Sequence, residues 1–585
     1  MGQMMCALRS RTYHFLRRVY HALPMSDSTR RIAKKKFLKL MNREPVITPY
    51  GQWITENEPT EDALNMQKKH VFQTRPLISL VLPMTDMSAD DFKELLHSIK
   101  AQTYESWELC IFNRNDTTNS EIANLCSSDQ RIKYNHTSED NMTGEYIGFL
   151  SYDDTLAPFA LFEIVKAINE HQDIDFIYAD EDKMNEHERY EPQFKPDFAP
   201  DTLRSTNYIG SFFVVSQAIA NALTHEVAFA QDRYYELVLR VGEQASKVHH
   251  IAKILNHKRG NAHPSASPDP DSEAIQSHIT KHLDLKSTVE RTELDGVFNV
   301  VYEVIGNPKV SIVIPNKDHL ELLKPCVDSI LELTTYDNYE IVIVENNSVD
   351  EETFAYYREL ELLPHIHVLR YPGTKFNYQK IINHGAKNCT GDYIMQLNND
   401  TQILTPNWLE LMLGFAQRSD VGVVGVKLYY PDMTIQHAGG IFVPGESFTE
   451  HIFVGIPKYA HGYMNRAFLI QNISWVTGAC VLSRKEIYEQ VGFMDEDYEI
   501  FYGDVDFCMK AKALGKTIIF HPFVELIHYE GKTRGNPLPP EKYRILQRDK
   551  DLFMSKWQKA LEQGDPYYNP TIKKLWTYNS GTGML

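Results

Sequence analysis

The sequence predicts an α/β protein built as two tandem copies of one doubly wound domain, preceded by a basic helical segment. Two observations carry the duplication. Residues 76–86, Pro-Leu-Ile-Ser-Leu-Val-Leu-Pro-Met-Thr-Asp, return at 308–318 as Pro-Lys-Val-Ser-Ile-Val-Ile-Pro-Asn-Lys-Asp. The same offset of 232 aligns Thr103-Tyr104 and Trp107-Glu108 with Thr335-Tyr336 and Tyr339-Glu340. Further on, Thr143-Gly144-Glu145-Tyr146-Ile147 matches Thr390-Gly391-Asp392-Tyr393-Ile394 at an offset of 247, so the first copy is 15 residues shorter between these anchors. A third observation sets the class. In each copy an apolar run ending at a proline leads into a helix-like segment and a second apolar run (Leu109 to Phe112; Ile341 to Val344), the pattern of a parallel βαβ unit. Sheets wound this way hold their ligands at the carboxyl ends of the strands.

The elements follow in order. Residues 1–70 read as a basic amphipathic segment and linker, 71–257 as the first α/β domain, 258–304 as a second linker and 305–575 as the second domain. A chain of 585 residues exceeds one hydrophobic core, which agrees with this division. Pro264, Ser265, Ser267, Pro268, Asp269 and Pro270 mark the start of the second linker. Hydrophobic residues at 43% and charged ones at 24% exclude a disordered or fibrous chain. The seven cysteines lack a CxxC pair or metal-ligand spacing, which predicts free thiols in a reducing, cytoplasmic setting. No stretch approaches the roughly 18 apolar residues of a spanning helix. Arg17 and Arg18 interrupt any hydrophobic region of a signal peptide.

Charge is segregated. Residues 1–45 hold 11 Lys or Arg against 2 acids, a net of +9 in a chain of net charge −18, which leaves −27 on the rest. Phe15, Leu16, Val19, Tyr20 and Leu23, then Ala33, Phe37, Leu40 and Met41, fall at helical spacing opposite the cations. Two readings stand side by side: a peripheral contact with an anionic membrane face, and a solvated helical face packed on the protein body. The acidic body argues against nucleic acid as a partner.

Candidate chemistry clusters in the second copy. Leu397 ends a strand before Asn398-Asn399-Asp400, where a carboxylate beside amides suits Mg²⁺ or Mn²⁺ bridging a diphosphate; the tripeptide also makes an ordinary turn. Glu345-Asn346-Asn347-Ser348 follows another strand, and a carboxylate there can accept the N3–H of uracil or thymine. Asn113 takes the place of Glu345 in the first copy. Tyr502-Gly503-Asp504-Val505-Asp506 opens a helix, where acids often only cap; Asp504 is the candidate general base. His528 after a late strand is a candidate metal ligand or a structural histidine. Lys532 and Arg534 are candidate partners of a leaving diphosphate or a basic surface loop.

Taken together, these features resemble the inverting family 2 glycosyltransferases of the GT-A fold, especially bacterial enzymes of O-antigen and cell-wall rhamnose polysaccharides. The resemblance rests on Phe376-Asn377-Tyr378, Ile382-Asn383, Leu397 to Thr401, Tyr430-Pro431-Asp432, Ile435 to Gly439, Val476 to Ala479 and Asp504 to Cys508. In the first copy it rests on Asp153-Asp154, Tyr178 to Asp182 and Phe194 to Asp197. It implies two tandem GT-A-like domains with mixed, mostly parallel sheets, and a metal-dependent, inverting hexosyltransferase that uses Mn²⁺ or Mg²⁺. On this resemblance Pro315, Asn316 and Glu345 hold the nucleobase, with Asn347 among the donor contacts. Asn383 and Asn398 bind around ribose and diphosphate, and Asp400 and His528 hold the metal. Asp504 is the base, and Thr477, Gly478 and Ala479 line the acceptor side near Trp475, an aromatic face suited to stacking on a sugar. Many members have Glu immediately before the base, where this chain has Gly503.

The first copy departs further. Ser151 replaces Asn398, the counterpart of Asn383 falls in the missing stretch, and Tyr234 aligns with Asp504, with Asp232 two residues away. Asp153 and His257 read as a surviving metal pair. The expected activity is transfer of a sugar, rhamnose favoured by the resemblance, from dTDP-rhamnose or a UDP-sugar to a lipid-linked glycan acceptor at one C-terminal site. The alternatives are a polymerase with two active domains and a non-catalytic, glycan-binding scaffold.

Overall fold

The computed structural model describes residues 49–84, 87–113, 120–136, 142–171, 173–186, 188–223, 233–259, 269–443, 448–529 and 539–572. The basic segment 1–45, Asp232, Lys532 and Arg534 lie outside the described residues. The chain divides into a short unit ending at Glu58 and a large unit, Pro59–Leu585, that contains both copies. In the short unit a helix spans Pro49–Asn57, with Tyr50 stacked on Trp53.

The large unit holds two sheets. The first contains β1 (Ile78–Met84), β2 (Trp107–Asn113), β3 (Ile132–His136), β4 (Tyr146–Phe149), β5 (Asp154–Leu156), β6 (Phe176–Met184), β7 (Arg189–Gln193), β8 (Phe213–Ser216) and β9 (Val248–Arg259). A separate hairpin joins β10 (Ser287–Arg291) to β11 (Phe298–Tyr302). The second sheet contains β12 (Val310–Asn316), β13 (Tyr339–Glu345), β14 (Ile366–Arg370), β15 (Tyr393–Leu397), β16 (Thr401–Ile403), β17 (Val421–Tyr429) and β18 (Ile435–His437). A small pair, β19 (Gly440–Phe442) and β20 (Thr449–His451), precedes β21 (Gln471–Asn472), β22 (Cys480–Arg484) and β23 (Thr517–His528). The strand orders are β3-β2-β1-β4-β8-β6-β9-β5 and β14-β13-β12-β15-β22-β17-β23-β16, so the two copies share one topology. Both are mixed sheets, with parallel strands on one side and antiparallel β8 or β22 near the middle.

The repeated sequence anchors meet in space and explain why they recur. Ser79 Oγ donates to Glu108 at 2.6 Å, and Ser311 Oγ donates to Glu340 at 2.6 Å. The backbone N–H of Thr143 or Thr390 reaches the same carboxylate, while Gly144 or Gly391 donates to the serine hydroxyl. A Cβ at Gly391 would stand 2.6 Å from that hydroxyl, so only glycine fits. Each buried acid thus ties three parallel strands at their amino ends, and a buried carboxylate so fully hydrogen-bonded persists as a charge. Ser98 and Ser329, one residue out of the 232 offset, are also counterparts, since their hydroxyls accept from Leu156 N and Ile403 N.

The copies are fused. One hydrophobic cluster takes residues from both copies, including Phe213 and Val238 of the first and Val310, Trp408 and Phe415 of the second. The stretch 258–304 carries a helix, Asp269–His278, and the β10–β11 hairpin, and packs into that cluster through Ile275, Phe298 and Tyr302. A buried ion pair crosses between the halves. Asp201 meets Arg418 and, at 3.0 Å, Arg204, and exchanges two hydrogen bonds with Asn472. Burial alone would raise the pKa of Asp201; the two guanidiniums overcome it and hold the acid well below the usual carboxylate range. The six described cysteines are buried free thiols. Among the described residues no helix is long and apolar enough to cross a membrane.

Candidate functional site

The carboxyl ends of the parallel strands in the second copy converge. Parallel pairing sets Asn316, the last residue of β12, beside Glu345, the last of β13. The turn after β13 is built by side chains: Glu345 Oε1 accepts Ser348 N–H at 2.5 Å, and Asn347, in the left-handed region at φ 57°, donates to Gly373 O. Asn316 donates to Tyr357 OH at 2.7 Å and accepts from Asn399 at 2.6 Å, which links this corner to the Asn398-Asn399-Asp400 turn. Pro315 precedes Asn316 in the strand, opposite Val344.

Asp400 and His528 are brought together. The β16–β23 ladder sets Thr401 opposite His528, and His528 Nε2 lies 3.1 Å from Asp400 Oδ1. Gln436 on β18 orients the ring. Its Oε1 faces His528 Nδ1 at 2.7 Å while its amide N–H donates to the His528 carbonyl, so Nδ1 carries a proton and, in the neutral ring, Nε2 presents a lone pair. A lone pair and a carboxylate oxygen 3.1 Å apart repel unless a cation or proton lies between them, and a nitrogen and oxygen set of this kind suits Mn²⁺ or Mg²⁺. Among the described residues no third acid, histidine or cysteine joins the pair.

The candidate base stands in the first turn of the Gly503–Ala513 helix, where the helix dipole favours an anion. Asp504 Oδ2 accepts Gly478 N–H at 2.8 Å and Oδ1 accepts Val505 N–H at 2.9 Å. From there a hydrogen-bonded chain runs to the Asp400–His528 pair. Gln396 donates to Gly478 O and to Tyr378 OH, Tyr378 donates to Asn398 Oδ1 at 2.7 Å, and Asn398 Nδ2 faces His528 Nε2 at 3.4 Å. Gly478 is required by crowding, since a Cβ there would meet Gln396 Nε2 at 2.4 Å. Ala479 is buried and accepts from Asn398 N through its carbonyl; Thr477, half-buried, donates its N–H to His437 Nε2. Burial, then the neighbouring His451 and His528, press the pKa of His437 well below its usual value, so this ring is neutral.

The departure at Gly503 has a local cause: a Cβ there would lie 2.3 Å from the buried Gln379 amide, which takes the space a larger residue needs. The loop before Asp504 is clamped from the long Pro540–Leu561 helix. Asp549, fully buried, accepts the backbone N–H groups of Glu499, Ile500 and Phe501 at 3.0 to 3.3 Å. Phe553 of the same helix stacks on Tyr502, and Trp557 donates to Asp506 at 2.8 Å.

Three expectations need correction. Asn383, expected around the ribose and diphosphate, is 2% exposed, and its amide is spent on Met494 N, Met494 O and Glu496; it anchors the 494–496 loop. Trp475, expected to stack on a sugar, is 3% exposed, wedged against Gly440 and His451 with its indole N–H on Ile441 O. His257 is not the counterpart of His528. It hydrogen-bonds Asp182 at 2.6 Å, and the ladder that sets Thr401 opposite His528 sets Asp154 opposite Lys258. Sequence reasoning assigned no role to Tyr378, Gln396, Gln436 or Asp549. The first three lie inside or beside motifs that carried the resemblance, whereas Asp549 sits in an unremarkable amphipathic helix with no local signal.

The first copy lacks this arrangement. Only residues 137–145 separate β3 from β4, too few for the Tyr378–Asn388 helix that lies between β14 and β15. Asn113 ends β2 opposite Met84, in the register Glu345 holds opposite Asn316. Tyr234, at the start of its helix, donates its hydroxyl to Leu150 O at 2.6 Å.

The description of Glycosyl transferase family 2 matches residues 79–224 and 311–492, more than half of the chain, and the protein belongs to that family. Two relatives are 33% identical to it: the uncharacterized protein y4gI of Sinorhizobium fredii, over 94% of this chain, and the O-antigen biosynthesis protein RfbC of Myxococcus xanthus, over 90%. The chain spans 62% and 43% of their respective lengths. An N-acetylglucosaminyl-diphospho-decaprenol L-rhamnosyltransferase of Mycobacterium tuberculosis is 22% identical over 39% of this chain and 77% of its own. The chain is thus a member of Glycosyl transferase family 2 whose two tandem halves share one strand order.

Proposed function

We propose that the C-terminal domain transfers a sugar, rhamnose favoured, from a pyrimidine nucleoside-diphosphate donor to a growing bacterial surface polysaccharide on a lipid carrier, with inversion at the anomeric carbon. The observation that carries this reading is the continuous hydrogen-bonded chain from Asp504 through Gly478, Gln396, Tyr378 and Asn398 to the Asp400–His528 pair. That chain supports a reading in which Asp504 and the Asp400–His528 pair serve one reaction. The names of the Myxococcus and Mycobacterium relatives support an O-antigen-type polysaccharide and a rhamnosyl donor.

Glu345 and Asn316 read the pyrimidine, with Pro315 and Asn347 shaping that corner; a carboxylate there favours the N3–H shared by uracil and thymine. Asn398 lies beside the diphosphate. Asp504 removes the proton from the acceptor hydroxyl as that oxygen attacks the anomeric carbon and the bond to the diphosphate oxygen breaks. Thr477, Gly478 and Ala479 line the acceptor side. Asp400 and His528 would hold a Mn²⁺ or Mg²⁺ ion, which would supply charge neutralisation for the diphosphate. Lys532 and Arg534 add to that neutralisation. Working on a lipid-linked acceptor fits a protein resting on the inner face of the cell membrane through its basic segment 1–45.

The experiment is turnover of dTDP-rhamnose and a panel of UDP-sugars, with Mn²⁺ or Mg²⁺ and a lipid-linked oligosaccharide, by wild type, Asp504→Asn and Asp153→Asn. Product from wild type and Asp153→Asn but none from Asp504→Asn is expected. Product from Asp504→Asn at the wild-type rate overturns the assignment of the base, and loss of one of two incorporated sugars in Asp153→Asn overturns the single-site reading.

A further inference from the structure

Because the two copies share their topology, each position in one can be read against its counterpart in the other. Two independent ladders locate the counterpart of His528. In the first, antiparallel pairing sets Thr401 opposite His528 in one copy and Asp154 opposite Lys258 in the other, and Thr401 follows Asp400 as Asp154 follows Asp153. In the second, parallel pairing sets Tyr429 beside Ile527 and Asp182 beside His257. Tyr429 and Asp182 are counterparts, since Gly425 and Tyr178, four residues earlier in their strands, pair with Val481 and Phe213, the residues facing Gln396 and Phe149. Both ladders give Lys258.

We infer that the N-terminal crevice carries a fixed ammonium, Lys258, where the C-terminal one has a metal-ligating imidazole, and that it takes neither a divalent cation nor a metal-bridged nucleoside diphosphate. The comparison rests on reading Asp400 and His528 as the metal pair. The surroundings of Lys258 agree. Its Nζ donates to Ser211 Oγ at 2.8 Å and lies 3.6 Å from Asp154 and 3.8 Å from Asp153. Asp154 is fully buried, and its oxygens already accept from Ser151 N, Ser211 Oγ and Asn256 Nδ2. Burial works against a charged Lys258, and the two carboxylates overcome it and hold it protonated. An ammonium offers only donors, so it cannot ligate a metal, and its charge opposes a second cation beside Asp153. Asp153 and Asp154 together outweigh Lys258, so these three groups offer no net positive charge to a diphosphate.

The test is the number of Mn²⁺ ions bound per full-length chain, read from the electron paramagnetic resonance signal of free Mn²⁺ during titration in excess dTDP and, separately, UDP. Wild type is expected to bind one ion. Asp153→Asn keeps it with an affinity within about threefold, whereas Asp400→Asn weakens it by about 100-fold or more. Two ions in wild type, or a single ion lost in Asp153→Asn and kept in Asp400→Asn, overturn the inference; the wild-type count stands even where a variant does not fold. No ion in wild type agrees with an N-terminal crevice closed to metal and instead sinks the C-terminal metal assignment, so the two readings fail separately.

Discussion

Replacing Asp549 by alanine tests whether the C-terminal helix positions the candidate base. The side chain accepts three consecutive backbone N–H groups, those of Glu499, Ile500 and Phe501, two residues ahead of the helix that carries Asp504. An N–H left without an acceptor costs about 1–3 kcal/mol when buried. Water reaches this half-buried loop, so the summed cost is about 2–4 kcal/mol rather than the full threefold value. Freed from the clamp, the loop shifts Asp504 relative to Gly478, and a displacement near 1 Å costs on the order of 10²-fold in rate. Asp549→Ala is therefore expected to lower kcat about 10- to 100-fold while the donor KM changes less than about threefold, because Glu345 and Asn316 lie on other strands. Asp549→Asn, which keeps one acceptor oxygen in place, recovers part of the loss. The assay is steady-state sugar transfer with a thermal melt of each variant. A lowered melting temperature with unchanged kcat would falsify the positioning role and leave Asp549 a purely structural cap.

Three further outcomes are expected. Gln436→Leu frees His528 to adopt the other tautomer, so Mn²⁺ affinity falls about 10- to 100-fold in a direct Mn²⁺ titration, with little change in melting temperature. In Glu340, burial raises the carboxyl pKa but hydrogen bonds from Lys309, Ser311 and Thr390 outweigh it and bring it down to about 2. A folded-state pKa below the unfolded one gives stability that is complete above about pH 4.5 and lost as pH falls toward 2; Glu340→Gln should flatten acid unfolding monitored by circular dichroism in that window, removing about 3 kcal/mol at neutral pH. Asp201→Ala removes the acid shared by Arg418 and Arg204, leaving Arg418 paired with Asp420 and Arg204 with His278, and is expected to cost about 2–4 kcal/mol, with both halves melting in one lowered calorimetric transition; two separate transitions would show that the halves fold independently.

What was legible in the sequence is what depends on local pattern. The duplication, the strand and helix alternation and the two sheets follow from apolar runs and from anchors such as Ser79 and Glu108 against Ser311 and Glu340, because backbone pairing demands those residues at fixed places along the chain. Asp400 lies in the turn after β15 and His528 ends β23, and segments at the carboxyl ends of such strands collect at one edge. Side-chain direction was not legible. Asn383 and Trp475 belong to motifs that line the site, yet the first turns inward to hold the 494–496 loop and the second is sealed under Gly440, because adjacency in sequence does not say which face a residue presents. The Lys258 and His257 assignment depends on register alone: successive strand residues point to opposite faces, so a shift of one residue exchanges an imidazole for an ammonium. Asp549 reaches its loop from about 50 residues away in sequence through a helix packed late in the chain, a contact no local pattern encodes. Fold, repeat and the chemical types present can thus be read along the chain, whereas which of those groups meet depends on strand register and long-range packing.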